Sequence, residues 1–232
     1  MAHPLPQART PTGARGFTLV ELLVALAIMA LMAVMGWRAL DSMQHTNART
    51  QAHADAVLTL DAALTQWGAD LDALAEVPYT SAIDWDGRAL RITRRHSADP
   101  AEGVLVVAWT RAQRAGTDQW LRWQSAPVRS RQTWQQAWQA AADWAQSPND
   151  AARQQEVALA PLTQWQLYYF RGGAWSNPLS SSGTPAATGR SAAPSANIPD
   201  GVRLVLTLPS PHPLAGTLTR DWARTTAWSS AP

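Results

Sequence analysis

Hydrophobic and polar residues follow three successive patterns along the chain. Residues 17–37 are apolar almost without interruption, and Glu21 is the single charge among them. From Val57 to Leu74, apolar residues recur at spacings of three and four, which predicts a helix with one buried stripe. Beyond Pro78 the period changes to two, which predicts strands. One helix followed by a run of strands favours an α+β fold with antiparallel pairing.

The apolar run has the length of a membrane-spanning helix. As a helix, residues 17–37 would be about 31 Å long, close to the hydrocarbon thickness of a bilayer. The preceding residues, 1–16, contain Arg9 and Arg15 and no acid, which favours a cytoplasmic N-terminus. A secretory signal peptide would have an apolar core of roughly 7 to 15 residues, which is shorter than the run over residues 17–37. A plain signal anchor explains the length of the run but not the position of Glu21.

Glu21 is an unusual residue at its position. A charge at the centre of a spanning helix costs about 2.5–3.5 kcal/mol on insertion scales, and less near the interface. An acid inside a membrane segment therefore indicates a functional role with a cationic partner. The alternative is an acid that is merely tolerated near the interface.

The residues around Glu21 indicate what that role is. The segment Gly16-Phe17-Thr18-Leu19-Val20-Glu21, followed by the apolar run, resembles the type IV prepilin signature. The resemblance implies that prepilin peptidase cleaves between Gly16 and Phe17 and that the new Phe17 amine is N-methylated. It also implies that Glu21 pairs with the Phe17 amine of a neighbouring subunit. Gly16 suits a cleavage site because its backbone is flexible and carries no side chain.

The membrane helix is expected to continue beyond the membrane. We predict that residues 38–78 form the second half of one long helix, which ends at Val77-Pro78 because proline cannot continue it. Its apolar stripe is expected to lie on the sheet of the same domain. A two-helix coiled coil is the alternative, although the pattern lasts for fewer than three heptads.

Residues 79–232 are predicted to form a β-rich domain. Asp86-Gly87 is a hairpin signal between the first two strands. Residues 104–107 are apolar on both faces, which indicates a central strand, and residues 131–146 are predicted to form an extra short helix. The Ser/Ala/Pro/Gly-rich stretch 176–198 reads as a flexible loop. The predicted strands are 83–85, 89–94, 104–111, 120–124, 165–170, 202–208 and 217–222.

Composition and motifs argue against catalysis, metal binding and nucleic-acid binding. The chain has no cysteine, and its five histidines are scattered without a metalloprotease, hydrolase or nucleotide-binding motif. All basic side chains are arginines dispersed among acids, whereas a nucleic-acid surface normally shows clustering. Asp84-Trp85-Asp86-Gly87 resembles the start of a calcium loop but lacks the later ligands, so an acidic turn is favoured. We therefore predict no catalytic residue, metal or cofactor.

The order of the globular segments resembles the J-type minor pseudopilins of type II secretion systems. The segments that carry the resemblance are 37–42, 67–71 with its final Asp70-Leu71, 90–95, 121–123, 165–169, 173–175, 198–204 and 216–220. Residues 131–146 and 176–198 depart from the family pattern as expansions.

This resemblance implies a subunit at the tip of the periplasmic pseudopilus that supports protein export across the outer membrane. Its partners would be the I-type and K-type minor pseudopilins, the major pseudopilin, prepilin peptidase and the inner membrane. The protein would span the inner membrane once, with its C-terminal domain in the periplasm. The alternatives are a minor subunit of a type IV pilus, which often has a C-terminal cysteine pair, and a signal-anchored periplasmic protein.

Overall fold

The structure is a computed structural model that describes residues 16–96, 100–181 and 198–225. The chain divides into two compact units between Gln51 and Ala52. The first helix, α1 (Leu19–Asp72), runs across this boundary. In the first unit, every described residue is exposed.

The second unit contains the last part of α1 and all of the strands, and the predicted α+β class is confirmed. The elements after α1 are β1 (Ile83–Trp85), β2 (Ala89–Arg95), a 3₁₀ turn (Pro100–Glu102), β3 (Val104–Arg114), β4 (Thr117–Gln124), α2 (Arg131–Gln146), α3 (Asp150–Gln154), β5 (Glu156–Pro161), β6 (Gln164–Arg171), β7 (Ala174–Ser176), α4 (Pro178–Ser181), β8 (Gly201–Leu208) and β9 (Gly216–Ala223).

The strands form two antiparallel sheets. One has five strands in the order β1-β2-β3-β4-β5, and the other has four in the order β7-β6-β8-β9. β3 is the central strand of the larger sheet, as its two-faced apolar sequence predicts, and Val107 lies between Ile92 of β2 and Gln124 of β4. The predicted hairpin at Asp86-Gly87 is confirmed, because β1 and β2 pair antiparallel on either side of it.

The last turns of α1 pack against both sheets in one core. Leu60, Ala63, Trp67 and Leu71 are almost fully buried, in one cluster with side chains from β2, β3, β4, β6 and β8. The predicted contact of the apolar stripe with the sheets of its own domain is therefore confirmed. Burial on this scale supplies the main stabilising term for the domain.

Helix α2 covers the opposite face of the five-stranded sheet. Its bounds agree with the predicted helix 131–146, and it begins with a capping box in which Ser130 and Thr133 bond each other's backbone N–H groups. Trp134 and Trp144 are buried in a second cluster with side chains of β2, β3 and β4. The larger sheet is thus buried on both faces.

Three sequence predictions need correction. Helix α1 ends at Asp72 and not at Pro78, because Leu74 forms a β-bridge with Arg94 and the Ala75 N–H donates to the Thr93 carbonyl. Strands β5 and β7 were not predicted. Residues 178–181 of the predicted loop form the short helix α4. Residues 182–197 of that loop, and the leader up to residue 15, lie outside the described residues.

Candidate functional site

The predicted processing site lies on an accessible stretch of chain before α1. Gly16, Phe17 and Thr18 precede the first helical residue, and Phe17 is 84% exposed. A methyl group built onto Gly16 would meet no atom within 4 Å. The peptide bond between Gly16 and Phe17 is therefore open to another protein, but its cleavage remains a prediction.

Glu21 lies in the first turn of α1. Its backbone N–H donates to the Thr18 hydroxyl oxygen at 3.3 Å, which is half of a Thr-x-x-Glu capping box. A carboxylate in the first turn also interacts favourably with the helix dipole. Sequence reasoning missed this local role, although the capping-box spacing was readable. Among the described residues, the Glu21 carboxylate makes no ion pair, so its pairing with a neighbouring amine stays a prediction.

The start of α1 presents an apolar surface on all sides. Large apolar side chains from Leu19 to Met35 are about half exposed or more. By length and composition, α1 is the one helix in the described part of the chain that could cross a membrane, and its most apolar window is not buried against the protein. This is the surface expected of a helix that lies in lipid or packs against other helices.

A buried charge cluster joins α1 to the larger sheet. Asp70 is fully buried and accepts hydrogen bonds from Arg122, Trp109 and Gln66 at 2.8 to 2.9 Å. Arg94 is also bonded to this carboxylate. The donors come from β4, β3, β2 and α1 itself, so one side chain ties the helix to three strands. Sequence reasoning noted Asp70 only as part of a resembling segment and missed its burial.

A second ion pair, within the larger sheet, joins β3 to the edge strand β5 and also bonds α2. Arg114 donates two hydrogen bonds to Glu156, at 2.7 and 2.9 Å, and the Trp144 indole donates a third at 2.6 Å. Burial opposes ionisation of Glu156, but these hydrogen bonds outweigh it and hold the pKa of the carboxyl below its usual value. The same pairing raises the pKa of Arg114.

The carboxylates of Asp84 and Asp86 in the acidic turn are bonded to other groups of the protein. Asp84 is paired with Arg91, and Asp86 accepts the backbone N–H groups of Arg88 and Ala89 at 2.9 and 2.8 Å. These contacts are those of a hairpin turn. Within residues 16–96, 100–181 and 198–225, no group of three or more potential metal ligands occurs.

The N-terminus matches a known family. Residues 12–37 match the model described as the prokaryotic N-terminal methylation motif. The matched segment includes Gly16, Phe17, Glu21 and the apolar start of α1. This segment therefore carries a prokaryotic N-terminal methylation motif, which confirms the resemblance to the prepilin signature and indicates single-pass membrane anchoring. No curated protein matches the chain.

Among solved structures, the chain is similar to one chain of the GspK-GspI-GspJ complex of the type 2 secretion system of enterotoxigenic Escherichia coli. The identity is 15%, the match covers 72% of this chain and 96% of that one, and the TM-score is 0.41. Similarity at this level is too low to transfer a role from one protein to the other.

Proposed function

We propose that this protein is a J-type minor pseudopilin of a type II secretion system. In this role it assembles with I-type and K-type subunits at the tip of the periplasmic pseudopilus and supports protein export across the outer membrane. It is a structural subunit whose work is assembly, and it needs no catalytic residue or cofactor.

One observation supports this proposal most. Three separate segments that carry the sequence resemblance meet at the Asp70 cluster: the end of α1 with Asp70, β2 with Arg94, and β4 with Arg122. Segments that resemble a family for unrelated reasons have no cause to converge on one buried carboxylate. The convergence therefore supports the interpretation that the sequence resemblance reflects a shared domain architecture.

The proposal assigns a task to each part of the chain. Residues 1–16 are a leader that prepilin peptidase removes, and residues 17–37 anchor the mature protein in the inner membrane. Residues 38–72 complete α1, and the β-rich domain that follows lies in the periplasm. During assembly the apolar helix leaves the bilayer. The free-energy cost of this extraction is offset by packing with other helices and by pairing of Glu21 with the Phe17 amine of a neighbour.

The experiment is co-expression of the full chain with I-type and K-type pseudopilins, followed by affinity purification in detergent. The proposal predicts a complex that contains all three subunits. A matched co-expression with minor subunits of a type IV pilus tests the alternative. Association with the pilus subunits only, or with neither set, would contradict the proposal.

A further inference from the structure

An exposed aromatic side chain occupies a backbone position that normally favours glycine. Tyr79 has a φ of 63°, in the left-handed region, and its side chain is 80% exposed. The Thr80 N–H donates to the Val77 carbonyl at 3.2 Å, and Pro78 comes directly after Val77. Proline followed by a positive φ defines a type II turn, whose third position is usually glycine. A bulky residue there is a genuine outlier.

The strain at Tyr79 has no structural compensation in the core. Its ring does not join either hydrophobic cluster, and the contact that the structure gives it is the Arg131 guanidinium, 5.4 Å from the ring centroid. Glycine would fit the turn better and remove little packing. Strain that the fold itself does not need points to a role outside the fold.

A cleft of about 390 Å³ opens beside the turn. Pro78 and Thr80, the two neighbours of Tyr79, contribute to its lining. Val77, Val128 and Trp134 supply apolar wall, and the exposed Arg129 and Arg131 stand at its border. Among the described residues that line it, there are two arginines and no acid.

We infer that the Tyr79 surface, defined as Val77, Pro78, Tyr79, Val128, Arg129 and Arg131, docks a segment of a partner subunit. That segment carries an apolar side chain for the cleft and a carboxylate for the two arginines. An aromatic anchor beside a pocket with arginine at its border is the composition typical of interface hot spots. The charge of the lining selects an acidic partner over a basic one. This inference rests on the proposed function, which supplies the partner subunits.

The test compares Tyr79→Gly with Ala115→Gly in the full chain, co-purified with the I-type and K-type subunits. Ala115 also has a positive φ, 49°, in the exposed β3–β4 turn, so both substitutions relieve the same kind of strain. We expect both variants to melt at or above the wild-type temperature. Only Tyr79→Gly should weaken binding, by about tenfold or more.

Charge is tested separately with Arg131→Glu and, as a matched control, Arg88→Glu on an exposed residue of the β1–β2 turn. The first variant should weaken binding at least as much as Tyr79→Gly, and the second should bind as wild type does.

The outcomes separate the inference from the proposed function. If the wild type binds its partners and both Tyr79→Gly and Arg131→Glu bind equally well, the inference is overturned and the proposed function is not. A fall in melting temperature for Tyr79→Gly would assign the ring a structural role and also overturn it. Self-association that is lost in Tyr79→Gly would make a second copy the occupant and overturn the partner assignment. Failure of the wild type to bind either subunit would overturn both proposals.

Discussion

The guanidinium of Arg122 donates two hydrogen bonds to the carboxylate of Asp70, from Nε to Oδ2 at 2.8 Å and from Nη2 to Oδ1 at 2.9 Å. This side-by-side geometry is the strongest form of a charge-assisted pair. Because Asp70 lies on α1 and Arg122 on β4, the pair fixes the helix on the sheet. Arg94 is also bonded to this carboxylate, so Asp70 pairs with two positive side chains from two different strands.

Replacement of that carboxylate should be severely destabilising. Asp70→Asn removes the charged partner that Arg94 and Arg122 share, and breaking a buried ion pair from one side typically costs about 3–5 kcal/mol. The measurement is chemical denaturation of the detergent-solubilised full chain. Asp61→Asn, on an exposed position of the same helix, should change stability by no more than about 0.5 kcal/mol. Equal stability of the two variants would show that the cluster does not hold α1 in place.

Glu156 should make stability depend on pH in the acid range. Its pKa is lowered in the folded state, so its contribution is present above the ordinary glutamate value of about 4.3 and is lost as pH falls through the folded-state pKa. Glu156→Gln should cost about 1–2 kcal/mol at pH 7, since charge-assisted hydrogen bonds from Arg114 and Trp144 are weakened.

The check for Glu156 is thermal unfolding of wild type and Glu156→Gln from pH 7 to pH 3. The difference between the two should shrink as the pH falls below about 4. A constant difference across this range would mean that ionisation of Glu156 is not the cause.

Gly103 should tolerate no side chain. It has a φ of 102°, and an added Cβ would lie 2.3 Å from the Val128 carbonyl oxygen, which itself accepts the Val104 N–H. Gly103→Ala should therefore cost about 3 kcal/mol or more, because both the backbone conformation and the bridge are disturbed. In Gly116→Ala, with φ 80° and no atom within 4 Å, only the conformational cost of about 1 kcal/mol applies. Similar melting temperatures for the two variants would contradict this account.

The elements that sequence predicted well are those whose pattern is local. The α2 bounds follow from tryptophan and alanine at helical spacing within 16 residues, and the seven predicted strands have alternating or continuous apolar residues. Strand β5 was missed because four of its six residues, a glutamate, two alanines and a terminal proline, are of types that are uncommon in strands. It is a strand because it pairs with β4, which its own residues do not reveal.

The Asp70 cluster could not be predicted for a related reason. Its partners Arg94, Trp109 and Arg122 lie 24, 39 and 52 residues further along the chain. From the helical pattern alone, an acid beside the apolar stripe is predicted to face solvent. Likewise, the end of α1 at Asp72 is decided by the pairing of Leu74 with Arg94, a tertiary contact that overrides helical pattern.

Glu21 is predicted to pair with a neighbouring amine, and it also places a carboxylate in the first turn of α1; two substitutions distinguish these two roles. Gln keeps a polar side chain of the type that completes a capping box but loses the charge, whereas Leu loses both; the bond from the backbone N–H of residue 21 to the Thr18 hydroxyl is available in either variant. If pairing with a neighbouring amine drives assembly, Glu21→Gln and Glu21→Leu should both fail to enter the tip complex. The measurement is the amount of each variant that co-purifies with the other pseudopilins. Assembly of Glu21→Gln at the wild-type level would show that the charge of Glu21 is not needed for assembly.

The prepilin-like N-terminus is the foundation of the account, and it is tested most directly by mass spectrometry of the protein purified from cells that contain prepilin peptidase. The account predicts a mature chain that begins at Phe17 with a methylated amine. An intact bond between Gly16 and Phe17 in those cells, or a new N-terminus beyond the apolar run, would contradict it.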